Sequence, residues 1–103
     1  MEKFLQSGYD IEGEKYFSLE QIGNYIFPDK CDVDAYSKTR YIYKYRRNEL
    51  EKYSKKVKSR LFNQTIVVLN KDGVRKFCSF VKQSDRNENV EKLGIFMNCI
   101  NFS

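Results

Sequence analysis

The 103-residue sequence predicts a small helix-rich α+β single domain, with a short β-sheet and three to four helices. Three stretches carry that prediction. "QTIVVLN" is a β-branched apolar run bounded by polar residues, the mark of a buried strand over 65–69. "NKDGVRKFCSFVKQ" follows it and places Val74, Phe77, Cys78 and Val81 at i, i+3, i+4 and i+7, the spacing of an amphipathic helix. "SLEQIGNYIFP" sets Ser18 three residues before Gln21 as a capping box, repeats Leu19, Ile22 and Ile26 on one face, and stops at Pro28.

The remaining elements follow in chain order. Phe4–Leu5 and Tyr9–Ile11 read as short extended pieces, with a turn around Glu12, Gly13 and Glu14. A helix over 19–27 comes next, with Tyr16, Phe17 and Tyr25 as core or half-buried aromatics. The stretch "RYIYKYRR", residues 40–47, admits two forms. As a helix capped by Asp34 and starting at Ala35, it aligns Tyr36, Arg40, Tyr43 and Arg47 in one stripe. As a strand, it puts Tyr41, Tyr43 and Tyr45 on one face. Residues 49–60 are mostly charged and read as an exposed loop or a frayed turn. Asp72 is the expected N-cap of the helix after the strand, and Val90, Leu93, Met97 and Ile100 mark a last helix from about residue 86 to 100.

Charge placement says more about function than composition does. The net charge is +5. Residues 1–35 carry three basic and eight acidic side chains, a net of −5, whereas residues 36–60 carry ten basic against Glu49 and Glu51, a net of +8. A concentrated positive segment attracts polyanions, and nucleic acid is the commonest of these. Interleaved arginine and tyrosine suit such a surface, because arginine pairs with phosphate or guanine and tyrosine donates to phosphate or stacks on a base. The expected nucleic-acid-binding residues are Lys38, Arg40, Tyr43, Lys44, Arg46 and Arg47, with Lys55, Lys56, Lys58 and Arg60 as phosphate clamps. A protein-interaction or self-assembling module, pairing the acidic segment 1–35 with the basic segment 36–60, is the alternative expectation.

Other chemistries lack their signatures. The chain has no histidine, so neither a Cys–His nor a Ser–His nucleophile can be built. Cys31, Cys78 and Cys99 are far apart, form no zinc-ligand pair, and read as buried free thiols. No glycine-rich phosphate loop and no long apolar run occurs. The expectation is a non-enzymatic intracellular protein with no cofactor, no metal, no small-molecule substrate and no membrane partner. DNA is the more expected nucleic acid than RNA, and a homodimer is compatible with the charge split.

The order of motifs resembles the Bro-N domain. "EKYFSLEQIGNYI" matches its opening aromatic pair and short helix, "AYSKTRYIYKYRR" falls on its second helix, and "TIVVLNKDGVRKFCSFVKQS" resembles its strand–turn–helix. "ENVEKLGIFMNCI" falls where its next helix would lie. The tryptophans common in that family are absent here, with Tyr16 or Phe17 standing in for one and Phe96 for another. The resemblance implies a DNA-binding module of a large DNA virus or phage, acting in the host nucleus or cytoplasm. It also implies that residues 35–47 are helical, with Tyr36, Arg40, Tyr43 and Arg47 outward and Tyr41 and Ile42 packed inward.

Overall fold

The computed structural model describes residues 2–60 and 63–99, and Ile100 of the last predicted helix lies outside them. Six α-helices and a four-stranded antiparallel sheet make up the described part, an α+β domain with more helices than the sequence predicts. Helix α1 spans Glu2–Gln6, where extended backbone was expected at Phe4 and Leu5. Phe4 is the reason: it is buried, stacking on Phe17 at 4.7 Å between ring centroids and meeting Tyr25 edge-on at 5.6 Å. Such aromatic packing outweighs local preference in so short a segment.

The turn expected around Gly13 forms, Gly13 taking a positive φ of 81°, and it joins strands β1 (Tyr9–Ile11) and β2 (Glu14–Ser18) into a hairpin. The chain then enters α2 (Leu19–Ile26) directly, with Ser18 accepting a hydrogen bond from the Gln21 backbone N–H at 3.1 Å. Only half of the predicted capping box forms, because the Gln21 side chain donates instead to the Phe4 carbonyl. Helix α3 (Asp32–Tyr45) settles the two-way reading of "RYIYKYRR" as a helix. It begins two residues before Asp34, at Asp32, after Cys31 as an N-cap without a side-chain bond.

The predicted loop at 49–60 is structured. It takes in the end of α4 (Arg47–Leu50), a short 3-10 turn, and strand β3 (Ser54–Lys58). Lysine-rich sequence hides β3, yet as an edge strand it needs only one apolar anchor, Val57, and edge lysines discourage strand addition. Ahead of β3, Leu50, the last residue of α4, is fully buried. Strand β4 (Thr65–Asn70) pairs with both β3 and β2, giving the order β1-β2-β4-β3. Helix α5 (Lys71–Ser79) is capped by Asn70, whose side chain accepts from the Gly73 N–H at 2.9 Å, rather than by Asp72. Helix α6 (Glu88–Cys99) packs along α5, and Asn87 and Asn89 reach back to the Ile26 and Tyr25 carbonyls at 2.7 and 2.9 Å. Those two amides satisfy carbonyls that the end of α2 leaves unpaired.

Phe17, Leu69 and the half-buried Val67 point from one sheet face into the main core, where they meet Ile22 and Ile26 of α2, Val74 and Phe77 of α5, and Leu93 and Met97 of α6. Tyr16 and Val68 are buried on the opposite face. Cys78 is buried in the core, but Cys31 and Cys99 are exposed, contrary to the expectation of three buried thiols. Burial pushes the Cys78 thiol from its ordinary 9.0 up to about 12. Cys78 therefore favours folding below about pH 9, and that contribution fades as the pH rises toward 12 and only the unfolded chain gains a thiolate.

Helix α3 is held by a close crossing over α2. Gly23 is buried there, and a Cβ at this position would lie 2.4 Å from Thr39 Oγ1 and 2.9 Å from the Ala35 carbonyl oxygen. Thr39 is fully buried and donates its hydroxyl proton to that same carbonyl at 2.8 Å. Gly23→Ala should therefore lower unfolding free energy by about 2 kcal/mol in urea titrations, overpacking outweighing the helix-propensity gain. No loss of stability would refute the close crossing. In native protein, thiol titration should label Cys31 and Cys99 quickly and Cys78 only on unfolding. Rapid labelling of Cys78 before unfolding would contradict its burial.

Candidate nucleic-acid interface

Helix α3 runs beside the β3–β4 hairpin, leaving between them an open groove of about 630 Å³. Arg40, Lys44 and Arg47 line it from the helical side and Lys56 from the sheet. Lys56 pairs in register with Val67, so the groove floor continues the sheet face that forms the core. Tyr36, Ser37, Gln64 and Thr65 supply further hydrogen-bonding groups, and among the described residues no aspartate or glutamate lines the groove. Among the described residues none of its four cations forms an ion pair. Arg40 rests over the Tyr36 ring, 5.5 Å from its centroid, which orients the guanidinium without neutralising it.

The remaining predicted residues lie elsewhere or have other attachments. Tyr43 lines the groove but is half-buried against the core, its hydroxyl 3.3 Å from Ser54 Oγ. Lys38 and Arg46 point to the other flank of α3: Lys38 pairs with Asp85 at 2.7 Å, and Arg46 lies over the Phe80 ring at 4.8 Å and near Glu49 at 3.7 Å. Lys55 projects from the opposite sheet face, over the Tyr16 ring at 5.7 Å and 3.6 Å from Glu12. Lys58 is exposed on β3 and does not line the groove. Arg60 is tied to the first hairpin, its guanidinium 4.0 Å from the Tyr9 centroid and donating to the Ser7 and Gly8 carbonyls at 3.3 and 2.6 Å.

The expected stripe on α3 is also rotated. Tyr41 and Tyr45 are 61% and 74% exposed, whereas Tyr36 and Tyr43 pack against the core with Ile42. The buried Ala35 and Thr39 fix this orientation, because α2 accepts only small side chains at the crossing. Of ten predicted contact residues, Arg40, Tyr43, Lys44, Arg47 and Lys56 converge on one groove. Ser37, Gln64 and Thr65 join them with no signal in the sequence, since only the hairpin register brings β4 under α3.

Among the described residues no helix is long and apolar enough to cross a membrane, and no group of three or more acidic, cysteine or histidine side chains is arranged to hold a metal ion. No protein-family model, curated protein or solved structure matches this chain.

The two hairpin cations differ in kind, and substitution should separate them. Arg60→Ala should cost about 1–2 kcal/mol, from two lost carbonyl bonds and the lost ring contact. Lys58→Ala should change stability by less than about 0.5 kcal/mol. Thermal melts of both variants check this, and equal melting temperatures would remove the structural role of Arg60.

Proposed function

We propose that this chain binds double-stranded DNA through the groove between α3 and the β3–β4 hairpin. The observation that carries the reading is the lining of that groove: among the described residues it has four cations without an ion pair, several neutral donors and no carboxylate. Phosphate neutralisation by Lys and Arg dominates nucleic-acid affinity, and a carboxylate inside such a groove would oppose it.

The layout around the groove favours a duplex. Helices α2 and α3 pack together across the five-residue connection 27–31, and the antiparallel β3–β4 hairpin stands beside the second helix. A second helix braced on a first is the helix–turn–helix arrangement, in which the second helix enters the major groove. At 100° per residue, Ser37, Arg40, Tyr41 and Lys44 share the outward face of α3, and all four are exposed. In this reading Arg40 and Ser37 face base edges, while Lys44, Arg47 and Lys56 take phosphates. The Bro-N resemblance points to the same class of ligand.

Fluorescence-anisotropy titration against a random duplex, a single strand and an RNA hairpin tests the proposal. Duplex is expected to bind most tightly, and with three phosphate contacts the affinity should fall about fortyfold for fourfold more salt. The triple variant Arg40→Ala, Lys44→Ala, Arg47→Ala should lose at least about a hundredfold in affinity while keeping its circular dichroism. Lys92→Ala on α6, where the ammonium pairs with Glu88, should bind like the parent. Parent-like affinity in the triple variant would reject this face, and equal binding to all three probes would reject the duplex preference.

A further inference from the structure

Helix α3 carries a second surface that shares only Tyr41 with the groove assigned to nucleic acid. On its other flank Tyr41 and Tyr45, one turn apart, stack on each other with centroids 6.1 Å apart and planes 20° from parallel. Beside them Ile42 and Phe80 line a cleft of about 350 Å³, rimmed by Lys38, Arg46 and Lys82. Among the described residues the one acid on the rim, Asp85, is already bound to Lys38, so the rim is net positive. Exposed tyrosines beside arginine, around an apolar depression, have the composition of an interface centre rather than of ordinary surface.

The chain also carries the complementary piece. At the start of α3, Val33 is 73% exposed and sits between Asp32 and Asp34, with Asp29 just before them. None of these three carboxylates has an ion-pair partner among the described residues. This tip cannot reach its own cleft. Val33 and Tyr45 are twelve residues apart on one continuous helix, about 18 Å at 1.5 Å per residue.

We propose that the cleft formed by Tyr41, Tyr45 and Phe80 takes the Asp32–Val33–Asp34 tip of a second copy of this chain. Val33 would fill the apolar depression, and the two aspartates would meet Arg46 and Lys82 on its rim. Tip and cleft are different surfaces, so the contact is heterologous and builds a head-to-tail series that grows with concentration. Salt weakens it, because the charged rim is exposed. Arg40, Lys44, Arg47 and Lys56 take no part, so the series forms without nucleic acid and leaves the groove cations free, Tyr41 being the residue that lines both surfaces. The inference does not depend on the DNA reading.

Sedimentation velocity on the reduced, nucleic-acid-free chain tests it. At low salt the weight-average mass should climb above the 12.3 kDa of one chain as concentration rises. At about 1 M salt, where screening acts within about 3 Å, it should return to the single-chain value. Val33→Ser and Tyr45→Ser alter exposed side chains, so both variants should fold, and each alone should weaken association at least about tenfold. An equimolar mixture of the two should recover a dimer and nothing larger, since one variant keeps an intact cleft and the other an intact tip. A parent chain that stays at 12.3 kDa at all concentrations would overturn the proposal. So would association that survives either substitution, or a mixture that yields no dimer.

Discussion

The crossing of α2 over α3 at Gly23 is the constraint on which the rest of the molecule depends. Gly23 has no side chain and Ala35 almost none, so the two helices meet nearly backbone to backbone. Thr39 completes the contact with its hydroxyl turned onto the Ala35 carbonyl, which leaves no buried polar atom unpaired there. This seam sets the rotation of α3, and the rotation decides which side chains are outside. With Ala35 and Thr39 inward, Ser37, Arg40, Tyr41 and Lys44 must face out. A bulkier residue at position 23 would move α3 away from the sheet and change the groove that both elements share.

The sheet supplies the other wall. β4 is its hub, bonded to β2 on one side and β3 on the other, and its Leu69 and Val67 anchor the core face. β3 adds lysines along an edge that has no further strand among the described residues. Alternation then sends them to opposite faces. Lys56 enters the groove, whereas Lys55 covers Tyr16 on the far side. A run of two lysines thus becomes one cation in the groove and one cation packed on a ring.

The same sorting divides the whole basic segment. Lys38, Arg46, Lys55 and Arg60 each lie on a ring and meet a carboxylate or backbone carbonyl, so they orient neighbouring elements. The exposed ion pairs of Arg46 and Lys55 add little stability by themselves. Between the acidic first third and the basic middle, the described residues form one ion pair, Glu12 with Lys55. The acidic third therefore does not cover the groove cations within one molecule. Its carboxylates at 29–34 stay available outside, which is what makes the α3 tip a surface feature.

Much of this was legible in the chain. Ser18 capping α2, the i, i+3, i+4 spacing of α5 and the apolar run of β4 are local codes, written within one or two helical turns, and they formed with boundaries within about a residue or two. The charge split was equally plain, because net charge needs no fold. What the sequence could not carry was anything set by a distant partner. Phe4 is helical because Phe17 and Tyr25 bury it, and β3 is a strand because β4 offers it hydrogen bonds. Tyr41 faces solvent while Tyr43 leans inward because Gly23, on another helix, takes only Ala35 and Thr39. Sequence alone determined α2, β4 and α5, whose codes are local, and where positive charge concentrates. The tertiary structure decided which five of the ten expected contact residues share one groove, because facing is a relation between elements and no single stretch of sequence contains it.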